Sequence, residues 1–358
     1  MDDVLPVLAG VLVVFLVLSD VFLTVLFPAS GHGPLREPLS RSTWRAMAVV
    51  ARRLPPTRRR ALLAYSGPVL ISATIIVWLT LLVLGWALVL LPGLGGGIVA
   101  ATGETDTGFA TAVYVSGFTL TTLGTGDVVP VADGYRLLTV VEAAIGFSVF
   151  TLALTYFLSI YSAITARRTF ASTLHQQTFG SGSAALLLIG LADDGGLPGA
   201  EQQLASLAGF LTHTFETHSS YPVLRYFHYR HDRYALPRVL LIALETAALV
   251  RTSLCPRRYR SLIRSAGLHQ LESAAMQLLD ELIPEAHPGA VDDEQRRAWE
   301  ERFHRSRSAL ARAGLEVVDD EDRGAREYVA RRADWDNSLR ALAHAGVYDW
   351  DRIEASPT

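Results

Sequence analysis

Two long apolar segments, 69–91 and 137–164, enclose the sequence Thr119-Leu120-Thr121-Thr122-Leu123-Gly124-Thr125-Gly126-Asp127. This stretch is too polar and too rich in glycine to be a spanning helix, and residues 113–120 are long enough only for a short one. At membrane depth, irregular backbone is tolerated only where protein buries it or where it lines a water-filled cavity. We therefore expect a re-entrant segment between two spanning helices.

The G-x-G spacing of Gly124 and Gly126 has a consequence for the backbone carbonyls. Glycine reaches positive φ without steric cost, so a chain with glycine at every second position can point successive carbonyls in the same direction. A ring of such carbonyls, supplied by several copies of one chain, can replace the hydration shell of a small cation. The stretch is therefore a candidate cation site.

The same residues resemble a known family. Thr122-Leu123-Gly124-Thr125-Gly126-Asp127 is similar to the filter signature T-V-G-Y-G-D of potassium channels, and Ala112-Val113-Tyr114-Val115-Ser116 is similar to the pore-helix pattern that precedes it. Val129-Pro130 matches the proline after the filter, and Gly146 stands at the position of the inner-helix hinge glycine. The resemblance covers residues 66–165.

The resemblance implies a fold and an assembly. It implies an all-α membrane channel with three transmembrane helices and one re-entrant pore helix and filter loop per subunit, followed by a helical cytosolic domain. The subunits would form a homotetramer, because the family builds its filter from four loops. Potassium would be the permeant ion, held by the backbone carbonyls of Thr122, Leu123, Gly124 and Thr125, with Asp127 bracing the filter. No other cofactor and no enzymatic activity are expected.

Two filter residues depart from the family pattern. Leu123 replaces the usual valine, and Thr125 replaces the tyrosine that normally packs against aromatic residues of the pore helix. The pore helix offers Tyr114, but Val115 stands where a second aromatic residue is common. We therefore expect the bracing of the filter to be weakened or replaced, and a channel that prefers potassium but leaks measurable sodium.

The last apolar segment has one ionisable residue, Glu142, one helical turn before Gly146. A glutamate within a membrane helix is a functional candidate, and the alternative is a carboxyl group that braces the back of the filter. The resemblance implies that Gly146 lets this helix bend. Phe150, Leu154 and Leu158 share one face of the helix below Gly146, where they would line the inner cavity or pack against other helices.

Residues 5–27 form another apolar segment, long enough to span the ~30 Å hydrocarbon core. A cleaved signal peptide is the alternative, but its start would be basic, whereas Asp2 and Asp3 are acidic. Asp20 lies near the far end of the segment. It is expected to reach toward the membrane surface or to pair with an arginine of the next loop, and a role in the ion path is the alternative.

Orientation follows from the loop 28–65, which has one acidic residue, Glu37, and eight arginines: Arg36, Arg41, Arg45, Arg52, Arg53, Arg58, Arg59 and Arg60. The positive-inside rule places this loop in the cytoplasm. A multi-pass protein of the cell membrane is therefore predicted, with the N-terminus outside and the C-terminal domain in the cytoplasm. Residues 35–54 could also form an amphipathic helix on membrane lipid, with Trp44 at the interface.

The predicted domains are an N-terminal transmembrane helix, a basic cytoplasmic loop, an ion-channel pore domain with its pore helix and filter at 108–130, and a cytosolic helical regulatory domain; their bounds are 1–30, 31–65, 66–168 and 169–358. Within the last of these, residues 239–250 are apolar but short, and Glu245 interrupts them. We expect this segment to be a core helix and not a fourth span. His213, His218, His228 and His231 are expected to be core or solvated residues, with a shared metal as the alternative.

Composition excludes some functions. The chain has 32 basic and 35 acidic residues, for a net charge of −3, which argues against a nucleic-acid partner. The single Cys255 excludes an intrachain disulfide. The other hypothesis for function is a membrane-anchored sensor or enzyme that acts through residues 170–358 and uses residues 108–130 as an extracellular ligand loop.

Overall fold

The computed structural model describes residues 4–27, 36–284 and 291–354. It divides into two compact units. The first comprises residues 1–49 and 65–162, and the second comprises residues 50–64 and 163–358. The described residues form helices joined by loops, with one small antiparallel sheet of two strands. The all-α class predicted from the sequence is confirmed.

The helices up to residue 177 are α1 (Val4–Val21), which continues as a π-helical turn (Phe22–Leu26), α2 (Arg36–Arg52), α3 (Pro56–Leu63), α4 (Ser66–Leu90), α5 (Phe109–Leu120) and α6 (Asp133–Gln177). The long helix α6 contributes its first part to the first unit and its last part to the second.

Three helical segments of the described chain are long and apolar enough to cross a membrane. They are Val4–Leu26, Arg58–Gly93 and Asp133–Gln177. The 12-residue helix α5 is apolar but spans only about 18 Å at 1.5 Å per residue, which is less than the hydrocarbon thickness. The three predicted spans and the short re-entrant helix are thus all present as helices.

Helices α1 and α4 pack with their backbones close together at a pair of glycines. A Cβ on Gly10 would lie 2.4 Å from the carbonyl oxygen of Gly85, so neither position has room for a side chain. At the other end of the contact, Trp78 Nε1 donates a 2.7 Å hydrogen bond to Asp20 Oδ2, and both residues are buried. The N-terminal helix is therefore an integral part of the first unit.

The two short strands β1 (Ile98–Ala100) and β2 (Val128–Pro130) flank the pore helix in sequence. They pair antiparallel, with Val99 opposite Val129. Next to this pair, the amide of Ala101 donates to the carbonyl of Asp127 at 2.8 Å. The chain leaving the filter is thereby tied to the chain that enters the pore helix.

The second unit contains the remaining helices: α7 (Ala184–Ile189), α8 (Ala200–Ser220), α9 (Leu236–Thr252), α10 (Arg260–Ile263), α11 (Ala266–Leu282), α12 (Asp293–Arg312), α13 (Glu321–Ala333), α14 (Asp336–Ala345) and α15 (Trp350–Glu354). Short 3₁₀ turns at Pro222–Tyr226 and Asp232–Tyr234 connect α8 to α9. Every residue of α9 except Arg251 is buried. The prediction that this segment is a core helix is confirmed.

An ion pair lies at the centre of this core. Glu245 of α9 is 2% exposed and forms a bidentate contact with Arg302 of α12, while the Tyr328 hydroxyl donates to Glu245 Oε1 at 3.1 Å. Burial is the largest single effect on Glu245 and raises its pKa, but the charges of Arg302 and Arg332 and the hydrogen bonds from Arg302 and Tyr328 together hold the pKa below its ordinary value. Glu245 is therefore ionised and links α9, α12 and α13.

Candidate functional site

The pore helix α5 is fixed at its start by the carboxylate of Asp106. Asp106 accepts hydrogen bonds from the amide of Gly108 and the hydroxyl of Thr111, both at 2.9 Å. These bonds lower the pKa of Asp106, the Gly108 bond most. A negative charge at the N-terminus of a helix also stabilises the helix dipole.

One side of α5 is buried. Ala112 and Val115 lie in a hydrophobic cluster with Ala87 and Leu90 of α4 and Ile98 of β1. Val115 is 1% exposed, which explains why an aromatic residue is absent there: this side chain fills the core of the first unit. The end of α5, where the filter stretch begins, is thus held by packing against α4.

The backbone after α5 alternates between negative and positive φ. Positive values occur at Thr122 (56°), Gly124 (61°) and Gly126 (77°), and the residues between them are not in that region. This alternation turns successive peptide planes the same way, as predicted from the glycine spacing. Sequence reasoning anticipated the two glycines and missed Thr122, because threonine rarely adopts positive φ.

Hydrogen bonds from the last turn of α5 fix the start of this backbone. The amide of Leu123 donates to the carbonyl of Phe118 at 2.8 Å, and that of Thr122 donates to Thr119 at 3.0 Å. From Thr121 to Asp127 every residue is exposed in the single chain, and the side chain of Leu123 is 72% exposed. The filter residues therefore present both backbone and side chains on a surface of the first unit.

Asp127 joins the filter to the pore helix. The hydroxyl of Thr125 donates to its Oδ1 at 2.5 Å, and the hydroxyl of Tyr114 donates to its Oδ2 at 2.9 Å. Both bonds stabilise the ionised carboxylate, so the pKa of Asp127 lies below its ordinary value, with Thr125 as the larger cause. Two hydrogen bonds thus connect the side chains of Thr125, Asp127 and Tyr114.

This chain of bonds changes the expectation for the filter. In the sequence, the small side chain of Thr125 and the absence of an aromatic residue at Val115 predicted a filter whose bracing is weakened or replaced. In the structure, the Thr125 hydroxyl has a strong acceptor in Asp127, and Tyr114 takes the bracing position on the pore helix. Of the two alternatives, the contacts in the single chain agree with a replaced bracing, because the support for Thr125 comes through the carboxylate two residues later.

Behind the filter stretch, Glu142 of α6 meets the pore helix. Its carboxyl group is fully buried, and the hydroxyl of Ser116 donates to Oε1 at 2.5 Å. Oε2 has no hydrogen-bond partner among the described residues. Of the two alternatives for Glu142, this position agrees with bracing the back of the filter.

At Gly146 the backbones of α6 and the pore helix approach each other closely. A Cβ at this position would lie 2.0 Å from the carbonyl oxygen of Leu120, the last residue of α5. The glycine is therefore required by packing, and α6 passes it without a break. Its role as a hinge stays a prediction.

Below Gly146 the predicted cavity residues line one exposed apolar face of α6. Phe150, Leu154 and Leu158 are 64%, 51% and 56% exposed in the single chain, and Phe147 lies beside them at 66%. A face of this size and polarity is typical of a surface that contacts protein or lipid.

Three contributions to the site escaped sequence reasoning. They are the hydrogen bonds that Asp106 accepts, the bond from the Ser116 hydroxyl to Glu142, and the bond from the Tyr114 hydroxyl to Asp127. An aspartate two residues before Gly108 can accept a hydrogen bond from that backbone amide, which is a recognisable local turn signal. The other two contacts join residues 26 and 13 positions apart, and no local pattern reveals them.

Comparisons with known proteins agree with this geometry. A sequence model of a family described as "Ion channel" matches residues 70–163, which contain α5, the filter stretch and most of both flanking spans. An "uncharacterized membrane protein YdjJ" of Bacillus subtilis (strain 168) is 27% identical over 168 residues, which is 47% of this chain and 48% of that protein. The chain thus matches about half the length of this curated relative.

No solved structure matches the chain significantly. The resemblance to an ion channel pore family that the filter stretch predicts is confirmed by this match over residues 70–163. The membrane-protein relative and the three helices long and apolar enough to cross a membrane support a multi-pass membrane protein.

Proposed function

We propose that this protein is a homotetrameric cation channel that prefers potassium and conducts it through the carbonyl groups of Thr122, Leu123, Gly124 and Thr125. The observation that carries the proposal is the alternating backbone of this stretch, with positive φ at Thr122, Gly124 and Gly126. Such a backbone directs consecutive carbonyl oxygens to one side, where they can replace the water around a dehydrated cation.

A single chain supplies only one wall of such a site. Four copies arranged around an axis would bring four sets of carbonyls together, as in the family that the sequence resembles. The exposure of residues 121–127 and of the apolar face at Phe150 and Leu154 in the single chain supports an assembly that covers them.

Electrostatics would assist conduction at both ends of the filter. On one side, Glu104, Asp106, Asp127 and Asp133 are exposed and would raise the local concentration of cations. On the other side, α5 ends at Leu120, and the negative end of its dipole would face an ion in the cavity below. Asp127, held ionised by Thr125 and Tyr114, would keep the filter at a fixed width.

Gating would act on α6. This helix lines the proposed cavity with Phe150, Leu154 and Leu158 and runs on without interruption to Gln177 in the second unit. A rearrangement of the second unit would therefore change the position of the cavity-lining part of α6. Gly146 would be the point at which the helix bends.

The decisive experiment is ion flux into liposomes that contain the purified protein, with potassium and sodium gradients in separate arms. We expect rapid potassium uptake by the wild-type protein and none by Gly124→Ala, because alanine resists the φ of 61° at this position. Gly103→Ala is the matched control. It places the same strain, at a φ of 78°, in an exposed loop away from the filter.

Equal flux through wild type and Gly124→Ala, or no cation flux through the wild type, would exclude the channel and favour a membrane-anchored sensor acting through the second unit. Loss of flux in both glycine variants would indicate unfolding and not a filter defect. A cross-linked tetramer in gels would test the assembly separately.

The proposed orientation places the loop 28–65 in the cytoplasm and the loop that contains Thr102 outside. Both Ala46 and Thr102 are exposed, so a cysteine at either position would be accessible to reagents. In a Cys255→Ser background, an impermeant thiol reagent added to intact cells should label Thr102→Cys and not Ala46→Cys. The reverse pattern would invert the topology and would not be compatible with this pore.

A further inference from the structure

Arg167 is a buried cation without a carboxylate partner among the described residues. Its side chain is 7% exposed, although buried arginines are normally paired with an acid. It contacts neutral groups: the Phe227 carbonyl at 3.2 Å, His218 Nε2 at 3.4 Å and the Tyr229 ring at 4.7 Å. Within the described part of the second unit, no carboxylate forms an ion pair with this guanidinium group.

His218 cannot neutralise this charge. Burial, and to a smaller extent the charge of Arg167, lowers the pKa of His218 to about 3. The imidazole is therefore neutral at physiological pH. Its Nδ1 lies 2.9 Å from the Thr214 carbonyl and therefore donates a hydrogen bond. Its Nε2 is then the acceptor that faces Arg167.

His228 is a second buried group with unused hydrogen-bonding capacity. It is 5% exposed and stacks on the ring of Tyr348 with 4.1 Å between ring centroids. Neither of its ring nitrogens has a hydrogen-bond partner in the described chain. The pKa of His228 falls to about 4, because of burial and then the charges of Arg60, Arg59 and Arg167.

Those three arginines come from separate parts of the second unit. Arg59 and Arg60 lie on α3, just before α4, and Arg167 lies on α6, three residues after the end of the apolar segment 137–164. Both α3 residues are partly buried. The Nε atoms of Arg59 and Arg167 and the hydroxyl of Tyr229 are further buried atoms without a hydrogen-bond partner in the described residues.

The carboxylate of Asp232 does not balance this cluster. It forms ion pairs with Arg352, at 3.0 Å, and with Arg60, at 3.6 Å, so two guanidinium groups already share it. In the described ranges of the chain, Arg59 and Arg167 have no acidic partner, and the lowered pKa values of His218 and His228 keep both imidazoles uncharged. The group of Arg59, Arg60, Arg167, His228 and Tyr229, called here the cationic cluster, carries an excess of positive charge and of hydrogen-bond donors.

We propose that the cationic cluster binds a phosphate group, carried either by an acidic lipid or by a soluble phosphorylated compound. Guanidinium groups suit a phosphate because their paired N–H groups match its oxygens. A phosphate would also give acceptors to Arg59 Nε, Arg167 Nε and the Tyr229 hydroxyl, which have none among the described residues. A divalent metal is disfavoured, because the surrounding arginines would repel it.

The position of the cluster gives such binding a consequence. A bound phosphate would connect α3, which leads directly into α4, to the part of α6 that follows the exposed apolar face of Phe150, Leu154 and Leu158. Bound phosphate would therefore tie the entrance of one span to the exit of another. The binding itself does not depend on ion conduction, so it can be tested even in a protein that passes no ions.

The test uses the full-length protein in neutral detergent and in nanodiscs. Thermal unfolding is followed with inorganic pyrophosphate as the soluble probe, and in nanodiscs of phosphatidylcholine with and without phosphatidic acid. A ligand that binds only the folded state raises the unfolding temperature as its concentration increases. A response to pyrophosphate alone identifies a soluble ligand, and a response to phosphatidic acid alone identifies a lipid headgroup.

Matched arginine variants show whether the effect comes from this site. Arg59→Gln and Arg167→Gln should weaken binding about tenfold, equivalent to ~1.4 kcal/mol. Their controls are Arg58→Gln and Arg168→Gln, which remove the same charge from the adjacent exposed residues. If Arg167→Gln fails to fold, the partly buried Arg59 and its control still decide the question.

Two outcomes would overturn the proposal. One is the absence of any shift in wild-type protein with both probes. The other is an equal loss of binding in Arg58→Gln and Arg59→Gln, which would indicate general attraction of anions to a basic helix.

Discussion

The hydroxyl of Tyr114 on the pore helix donates a 2.9 Å hydrogen bond to Asp127 at the end of the filter. Since Thr125 donates to the other oxygen of the same carboxylate, one aspartate holds both the filter and its supporting helix. The filter is thereby braced within a single chain.

Removing the hydroxyl of Tyr114 should loosen the bracing of the filter. In Tyr114→Phe the ring still packs edge-on against Phe118, but Asp127 loses one donor. We expect sodium permeability relative to potassium to increase severalfold, measured as reversal potential in bilayers. Tyr221→Phe in the second unit is the control and should leave selectivity unchanged. If Tyr114→Phe keeps the wild-type ratio, the bond to Asp127 does not set selectivity.

The state of Asp127 predicts a pH dependence. Its folded pKa lies below the ordinary value of 3.8, because of the Thr125 and Tyr114 hydroxyls. Because the pKa is lowered in the folded protein, the bracing is complete at a pH above the ordinary pKa of aspartate. It is lost as the pH falls through the lower pKa of the folded state. Selectivity of the wild type should therefore persist down to an external pH of about 4 and fail only below it.

Thr125→Val removes the larger cause of this shift and should move the loss of selectivity to higher pH. Thr121→Val is the matched control, because the Thr121 hydroxyl donates to the Gly117 carbonyl at 2.7 Å and not to Asp127. An identical pH profile for Thr125→Val and wild type would show that another group titrates.

The contact between Gly146 and Leu120 predicts a packing defect. Alanine at 146 would place its Cβ 2.0 Å from a backbone oxygen that cannot rotate away, so α5 or α6 must move. We expect Gly146→Ala to lose about 1–3 kcal/mol of stability and much of its flux. Gly134→Ala, where a Cβ meets nothing within 4 Å on the same helix, is the control. A melting temperature of Gly146→Ala equal to that of the control would refute the close contact.

The buried pair of Glu245 and Arg302 predicts a loss of stability in the second unit. Glu245→Ala removes the carboxylate that accepts hydrogen bonds from Arg302 and from the Tyr328 hydroxyl, and removing one partner of a buried pair costs about 3–5 kcal/mol. The exposed pair Glu301 and Arg305, 3.8 Å apart, gives the control. Glu301→Ala should change the free energy of unfolding in denaturant by less than about 0.5 kcal/mol.

The features that sequence reasoning predicted are those with a local pattern. Long apolar runs predicted the three spans, and the interrupted run around Glu245 predicted the core helix α9. The spacing of the glycines predicted the backbone conformation of the filter. Each of these signals lies within one segment of the chain, where periodicity and residue preference act directly.

The features that it missed depend on contacts between distant segments. The strands β1 and β2 have three residues each and lie 27 residues apart, so neither has a readable alternation. The pairing of Ser116 with Glu142 and the burial of His228 arise only when helices pack. The bond from Thr125 to Asp127 was missed for the same reason, since it could be weighed only with the loop folded.

The contact between Asp20 and Trp78 also constrains how the chain is made. The two residues are 58 positions apart, so the carboxylate of Asp20 is synthesised first. At about 5–20 residues per second, a ribosome needs roughly 3–12 seconds to reach Trp78. A carboxylate facing lipid during that interval costs about 2.5–3.5 kcal/mol at mid-membrane on insertion scales. A first helix that stays beside the insertion machinery, or holds Asp20 at the membrane surface, until α4 arrives would avoid this cost.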